Sequence, residues 1–487
     1  MNDNLLIAEK LNAARERGHF RTVDLFAGCG GLTLGFDRAG FRCISAVEID
    51  DLARESHELN FGQRHREAPY AAHADITRLS PSEVVSHLVG AGPATAVDVV
   101  VGGPPCQAFS RLGRAALWRL AGKDQAHQED ERATMYEHYL RFVAALKPIA
   151  FVMENVREIG KFGRRNVAEE VAATASELGY TVSYTLLNAA WFGVPQFRER
   201  MFILGVHRSV GVTPSFPALT HLAEIPVGYS TARAGTGHPQ VLEPMDHFVD
   251  HFTHARKTKP AVTAAAAFED LPPITHHLDG RRGKGHPRRP AEKVPYLRKP
   301  TNAFTKEMRD WPGFKSEDDA VSGHVIRYTP RDYAIFARMA EGDEYPAALE
   351  VAEEIFSELL SQREAQLGKP VRRGSKEWIE LRKKTVPPYP INRYPNKFSK
   401  MLRDRPARTV AAHIGKDSYS HIHFDSSQAR CISLREAARL QSFPDGFSFA
   451  GSMNSQLKQI GNAVPPILAR AVAQHLSELL LPRRMKN

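Results

Sequence analysis

The chain has 487 residues, 42% hydrophobic and 25% charged, with 65 Lys and Arg against 55 Asp and Glu for a net charge of +10. These values fit a soluble globular protein of two or three domains and exclude collagen-like or disordered composition. No apolar run is long enough to span a membrane, and the opening Met1–Lys10, carrying Asp3 and Glu9, does not read as a secretory leader.

Short apolar runs alternate with amphipathic stretches over the first 200 or so residues. Strands are expected at Thr22–Phe26, Cys43–Glu48, Val97–Val101, Ile149–Met153, Thr181–Leu187 and Met201–Val206. Several are continuously apolar, as in strands buried on both faces of a parallel sheet. Helices are expected at Gly31–Ala39, Asp51–Asn60, Pro81–Val89, Met135–Leu146 and Val167–Leu178, the last stopped by Gly179. This alternation predicts a doubly wound α/β fold with a mostly parallel twisted sheet.

The character changes at His207. Residues 207–404 are rich in Pro, Gly and His and hold 31 basic against 25 acidic residues. A tighter basic cluster runs from Arg281 to Lys299, including Arg288 and Arg289 and opposed within it only by Glu292. It reads either as a flexible basic loop or as a polyanion-binding element. A helix is expected at Ala347–Gln366, and regular patterning returns after Arg405 with helices at Leu434–Ser442 and Pro466–Leu480. The expected organisation is a first α/β part at 20–206, a second, smaller domain at 207–404, and a return completing the first at 405–482.

The four cysteines (Cys29, Cys43, Cys106 and Cys431) are too scattered for a disulfide framework or a CxxC zinc site, so reduced thiols in a cytosol and no metal are expected.

Ligands of open α/β sheets bind at the carboxyl ends of the strands, and four unusual segments fall there. Asp24–Gly31 (DLFAGCGG) joins a strand to a helix, and Gly28 and Gly30 permit a tight turn and close ligand approach. Thr33 stands where a dinucleotide fingerprint has its third glycine, which argues against a pyrophosphate cofactor. Glu48, twenty residues beyond Gly28, suits ribose hydroxyls. Asp75 is either an adenine contact or a turn cap. Gly102–Ser110 (GGPPCQAFS) presents Cys106 after two stiffening prolines, where a thiolate nucleophile could be exposed. Glu154-Asn155-Val156 places a partly desolvated carboxyl at a strand end, suited to acid catalysis or, in the alternative, to capping a helix. In Gln196–Arg200 (QFRER), Arg198 and Arg200 share one side of an extended segment, with Glu199 on the other.

Together with SLREAARLQSFPD (Ser433–Asp445) and QIGNAVP (Gln459–Pro465), these segments resemble the DNA (cytosine-5)-methyltransferase family in its prokaryotic, stand-alone form, with the motifs in the family's order. FEDLPP (Phe268–Pro273) and RPARTVAAH (Arg405–His413) resemble the flanks of that family's target-recognition region.

The resemblance implies a Rossmann-like methyltransferase domain with an inserted target-recognition domain. It implies S-adenosyl-L-methionine as cofactor, with Phe26, Gly28, Gly30, Gly31, Glu48, Ile49, Asp75, Ile76, Pro104, Asn462 and Val464 around it. Cys106 would attack C6 of a flipped-out cytosine, Glu154 would bind the ring near N3, and Arg198, with Arg200 beside it, would reach the base carbonyl. Ser110, Arg111 and Arg114 would contact the strand, and the insert with Arg288 and Arg289 would hold phosphates. The resemblance further implies double-stranded DNA as partner and, as role, host DNA modification in a restriction–modification or related defence system. A cytoplasmic monomer is expected, at the nucleoid when bound to DNA.

Two other readings compete. The family's transfer-RNA branch has a Cys-Phe-Thr motif that Asn188–Phe192 lacks, and it has a short recognition region where this insert is long. A catalytically inactive DNA-binding module would not need the intact Cys106, Glu154 and Arg198.

Overall fold

The computed structural model describes residues 3–62, 71–87, 92–105, 135–160, 165–224, 226, 245–250, 254–278, 292–391, 397–416 and 419–481. They form two compact units. The first comprises described residues of 1–261, 448–451 and 462–487, and the second those of 262–447 and 452–461.

A seven-stranded sheet organises the first unit. Its strands are β1 (Phe20–Leu25), β2 (Phe41–Val47), β3 (Ala71–His73), β4 (Val99–Gly102), β5 (Ala150–Val156), β6 (Tyr180–Asn188) and β7 (Glu199–His207), in the order β3-β2-β1-β4-β5-β7-β6. Neighbours from β3 to β5 pair in parallel, whereas β7 runs antiparallel to both β5 and β6. The sheet is therefore mostly parallel and doubly wound, as expected. All six expected strands are present, with ends shifted by up to three residues. Each of β1, β4, β5 and β7 is buried almost throughout, which is why they read as apolar runs rather than alternating ones.

Helix α1 (Asp3–Arg17), α2 (Gly31–Arg38) and α3 (Asp51–Phe61) precede β3. Asp50 caps α3 by accepting from the Ala53 amide at 3.2 Å. Helix α1 was not expected. It is tied down by Lys10, whose buried ammonium donates to the carbonyls of Val97, Leu146 and Lys147 at 2.6–3.0 Å. The C-terminal helix Pro466–Leu480 packs on α2 at Gly35, where an added Cβ would lie 2.4 Å from Ala469 Cβ and 2.6 Å from Arg470 N. Of the helix expected at Pro81–Val89, the described residues 81–87 hold only a 3₁₀ turn at Glu83–Val85, with Glu83 folding back to accept from the Ser80 amide.

The second unit is built from short helices, the 23-residue helix Tyr345–Leu367 and small sheets. Tyr333, Phe336, Tyr345, Phe398 and Tyr419 cluster in one core. The unit also buries ion pairs: Arg430 grips both Glu436 oxygens at 2.7 Å, and Arg439 lies between Asp270 and Asp445. The unit limits differ from the expected boundaries. Leu219–Leu222 pairs with His254–Pro260 inside the first unit, and the Ala264 and Ala265 amides donate to Arg405 and Arg403, closing the chain across 404/405.

Candidate active site

The carboxyl ends of β1, β2, β4 and β5 bring the first three expected segments to one edge of the sheet. After β1, Phe26 takes a left-handed conformation (φ 60°), followed by Gly28 (φ 56°) and Gly30 (φ 100°). Phe26 is half-buried against the core. A Cβ on Gly28 would meet nothing within 4 Å, so its face opens onto free space. The other two glycines serve packing. A Cβ on Gly30 would strike Phe61 at 2.4 Å, and one on Gly31 would lie 2.3 Å from the Val464 carbonyl oxygen. Gly31 therefore brings Val464, from the far end of the chain, against the start of α2.

Glu48 is held by two amides, from Gly28 to Oε2 and from Asp50 to Oε1, both at 2.8 Å. Its carboxylate is thereby fixed beside the open face of Gly28, and Ile49 next to it is 70% exposed. Asp75 uses one oxygen to cap its own turn, accepting from the Thr77 amide and hydroxyl, which with nearby Arg78 holds its pKa low. Ile76 is buried in the core, while Asn462 is exposed.

Beneath the glycine turn runs a buried polar chain that sequence reasoning missed. The Thr33 hydroxyl donates to Asp24 Oδ2 at 2.6 Å and lies 2.9 Å from His57 Nε2. Burial pushes Asp24 up to about 7 against the Thr33 hydrogen bonds, and pushes His57 down to about 3.

Parallel pairing of β4 with β5 sets Gly102 opposite Met153, so the Gly103-Pro104-Pro105 segment leaves the sheet beside Glu154 and Asn155. Asn155 Nδ2 donates to the buried Pro104 carbonyl at 3.2 Å. Glu154 Oε2 lies 3.0 Å from where a Gly103 Cβ would be, so a side chain there would crowd this carboxyl. In the antiparallel β5–β7 ladder Glu154 faces Phe202 and Val156 faces Arg200, which puts Glu154 and Arg200 diagonally on one face. Arg200 Nε reaches Glu154 Oε1 at 2.9 Å. Burial raises the Glu154 pKa, with Arg200 and then Arg198 pulling the other way. Glu199 faces away and pairs with Arg157 at 3.3 Å.

The two arginines differ in burial and in partner. Arg198 is 1% exposed and donates to the Ala463 carbonyl, whereas Arg200 holds the acidic oxygen. The distinction depends on burial, which the alternating spacing of QFRER does not encode. Cys106, Ser110, Arg111, Arg114, Arg288 and Arg289 lie outside the described residues. The described cysteines, Cys29, Cys43 and Cys431, are thiols outside any disulfide, pushed up by burial and so poor nucleophiles.

A profile of C-5 cytosine-specific DNA methylases matches residues 20–243 and 307–478. The chain belongs to this family. M.OihORF3336P of Oceanobacillus iheyensis is 35% identical, over 94% of this chain and 95% of its own. The type II methyltransferase M.AgeI of Thalassovita gelatinovora is 31% identical, over 93% and 98%. A prophage-encoded E. coli protein, described as a DNA modification methyltransferase, superposes with a TM-score of 0.61 at 21% identity, covering 95% of this chain and 99% of its own, a likeness of fold. The protein is thus a DNA (cytosine-5-)-methyltransferase, and its family implies a methyl donor of the S-adenosylmethionine type. The open face of Gly28, the clamped Glu48 carboxylate and exposed Ile49 fit such a donor, since they set a carboxylate and an apolar surface beside free space. Among the described residues no helix is long and apolar enough to cross a membrane, and no cluster of metal-ligating side chains occurs.

Proposed function

We propose that the enzyme methylates C5 of a flipped-out cytosine in a specific duplex DNA sequence through a covalent Cys106–C6 adduct. The observation that carries this reading is the Glu154–Arg200 pair beside the Gly103–Pro105 segment, which runs directly into Cys106.

Phe26, Gly28, Glu48, Ile49 and Val464 would hold S-adenosylmethionine, with Asp75 and Asn462 at its margin. When bound, it supplies an electrophilic methyl group on a sulfonium. Cytosine C5 is too weak a nucleophile to take that methyl unaided. Addition of the Cys106 thiolate to C6 makes C5 enamine-like. Glu154 is suited to the proton that this step needs, because burial keeps its carboxyl protonated to higher pH than usual. It donates to N3 while its other oxygen accepts from the exocyclic amine. Arg200, which pairs with Glu154, would orient it and, with Arg198 nearby, would donate to the base carbonyl. Once C5 carries the methyl, loss of the C5 proton to a base expels the thiolate and restores the ring.

None of these ring atoms is reachable in a stacked duplex, so the base must flip out, at a cost of a few kcal/mol. Residues 207–404 are proposed as the DNA-reading region, with Ser110, Arg111, Arg114, Arg288 and Arg289 as phosphate or strand contacts. Host DNA modification in a restriction–modification or related defence system fits the type II relative described above.

The test is Glu154→Gln, which keeps the shape and removes the acid. We expect kcat for methyl transfer to mixed-sequence plasmid DNA to fall about 10²–10⁴-fold, with S-adenosylhomocysteine binding unchanged. A wild-type kcat would contradict the assignment.

A further inference from the structure

Arg198 immediately precedes β7 and is almost fully buried. Its Nη2 donates to the Ala463 carbonyl at 3.0 Å, a contact between residues 265 apart in sequence. The next carbonyl along, that of Val464, lies against Gly31, where an added Cβ would approach to 2.3 Å. The backbone at Ala463–Val464 is thus held from two sides. On one side is the start of α2, which follows the donor-binding turn. On the other is the strand whose next-but-one residue, Arg200, grips Glu154.

Burying a guanidinium away from water is costly unless its donors are used. A buried carbonyl outside regular structure likewise needs a donor. A neutral side chain could satisfy the second need without the first cost. A long, planar, rigid group is favoured where it must also fix a distance.

We propose that Arg198 is a positioning residue that sets the separation between the target-base pocket and the methyl-donor pocket by pinning the Ala463–Val464 backbone against the start of α2. This rests on the reading that Glu154 and Arg200 hold the base while the Gly28–Glu48 edge holds the donor. The Arg200–Glu154 pair and the Gly28–Glu48 hydrogen bond do not themselves involve Arg198. What suffers is the alignment between them, and misplacement of about 1 Å can cost about a hundredfold in rate.

The experiment uses the full-length enzyme, labelled S-adenosylmethionine and mixed-sequence plasmid DNA, with Arg198→Met and Arg198→Lys beside wild type. Measured are kcat, KM for each substrate, and Tm. Arg198→Met is expected to lower kcat by about 10–100-fold with both KM values within about threefold of wild type. Arg198→Lys can still reach the carbonyl with one donor but lacks the rigid plane, so kcat should recover only in part, to about three- to tenfold below wild type.

A wild-type kcat in Arg198→Met overturns the proposal. So does a loss of rate matched by an equal loss of folded enzyme, or a raised KM for the donor at unchanged kcat. If Arg198→Met fails to fold, Arg198→Lys decides: reduced kcat at unchanged KM and Tm supports positioning, and unchanged kcat overturns it. Failure of the underlying reading shows separately, as absence of label transfer by the wild-type enzyme, and would remove the proposal with it.

Discussion

Replacing Gly28 and Gly35 by alanine, one at a time, separates the ligand-facing glycine from a purely structural one in the same segment. Gly28 has φ 56° and open space where a Cβ would go, whereas a Cβ on Gly35 would press to 2.4–2.6 Å on the backbone and side chain of helix Pro466–Leu480. Alanine at Gly28 carries the left-handed backbone cost of about 1–2 kcal/mol. At about 2–4 °C per kcal/mol for a domain of this size class, Tm should fall by about 2–8 °C. The new methyl would stand in the space assigned to the donor, and an overpacked contact costs about 1–3 kcal/mol. That corresponds to about 5–150-fold weaker binding of S-adenosylhomocysteine by titration calorimetry. Gly35→Ala meets atoms that cannot yield, since two of the three nearest belong to helix backbone. It should lower Tm at least as far and leave ligand affinity unchanged at temperatures where the protein is folded. Unchanged affinity in Gly28→Ala, or weakened affinity with intact Tm in Gly35→Ala, would refute the assignment of the Gly28 face to the donor.

The buried Asp24 makes a pH prediction. Its carboxyl is raised by burial to about 7 from an ordinary 3.8, so its contribution to stability is fully present below about pH 4 and is lost as pH rises through about 7. Asp24→Asn should therefore flatten the fall in urea midpoint between pH 5 and 8 by the equivalent of about 2–4 kcal/mol; parallel wild-type and variant curves would show that Asp24 titrates normally. For DNA binding, Arg288→Ala with Arg289→Ala should weaken binding to all sequences alike. The log–log salt slope should decrease by about 2, and an unaltered slope would count against a phosphate role for these residues.

Much of the fold could be read from residue pattern because the central strands are buried on both faces, and continuous apolar runs mark them directly. Strand direction could not. Nothing in Glu199–His207 distinguishes an antiparallel β7 from a parallel one, although that reversal is what sets Arg200 beside Glu154. Leu219–Leu222 and His254–Pro260 find each other across more than thirty residues, beyond any local signal. The site showed the same division. Gly28, Glu48 and Glu154 announced themselves by residue type at strand ends. Gly30 and Gly31 share Gly28's motif yet face Phe61 and Val464, and Thr33, first noticed as a missing glycine, links Asp24 and His57. Which arginine of QFRER is buried depends on Ala463, a partner in distant sequence.

The central claim is transfer of a methyl group to DNA cytosine by way of Cys106. Its most direct test incubates the enzyme and its Cys106→Ala variant with labelled S-adenosylmethionine, mixed-sequence duplex DNA and, separately, transfer RNA, followed by bisulfite sequencing of the DNA. The account predicts label in DNA, at cytosines sharing one sequence context, which disappears with Cys106→Ala. Label that survives the substitution, or that enters transfer RNA alone, would contradict it.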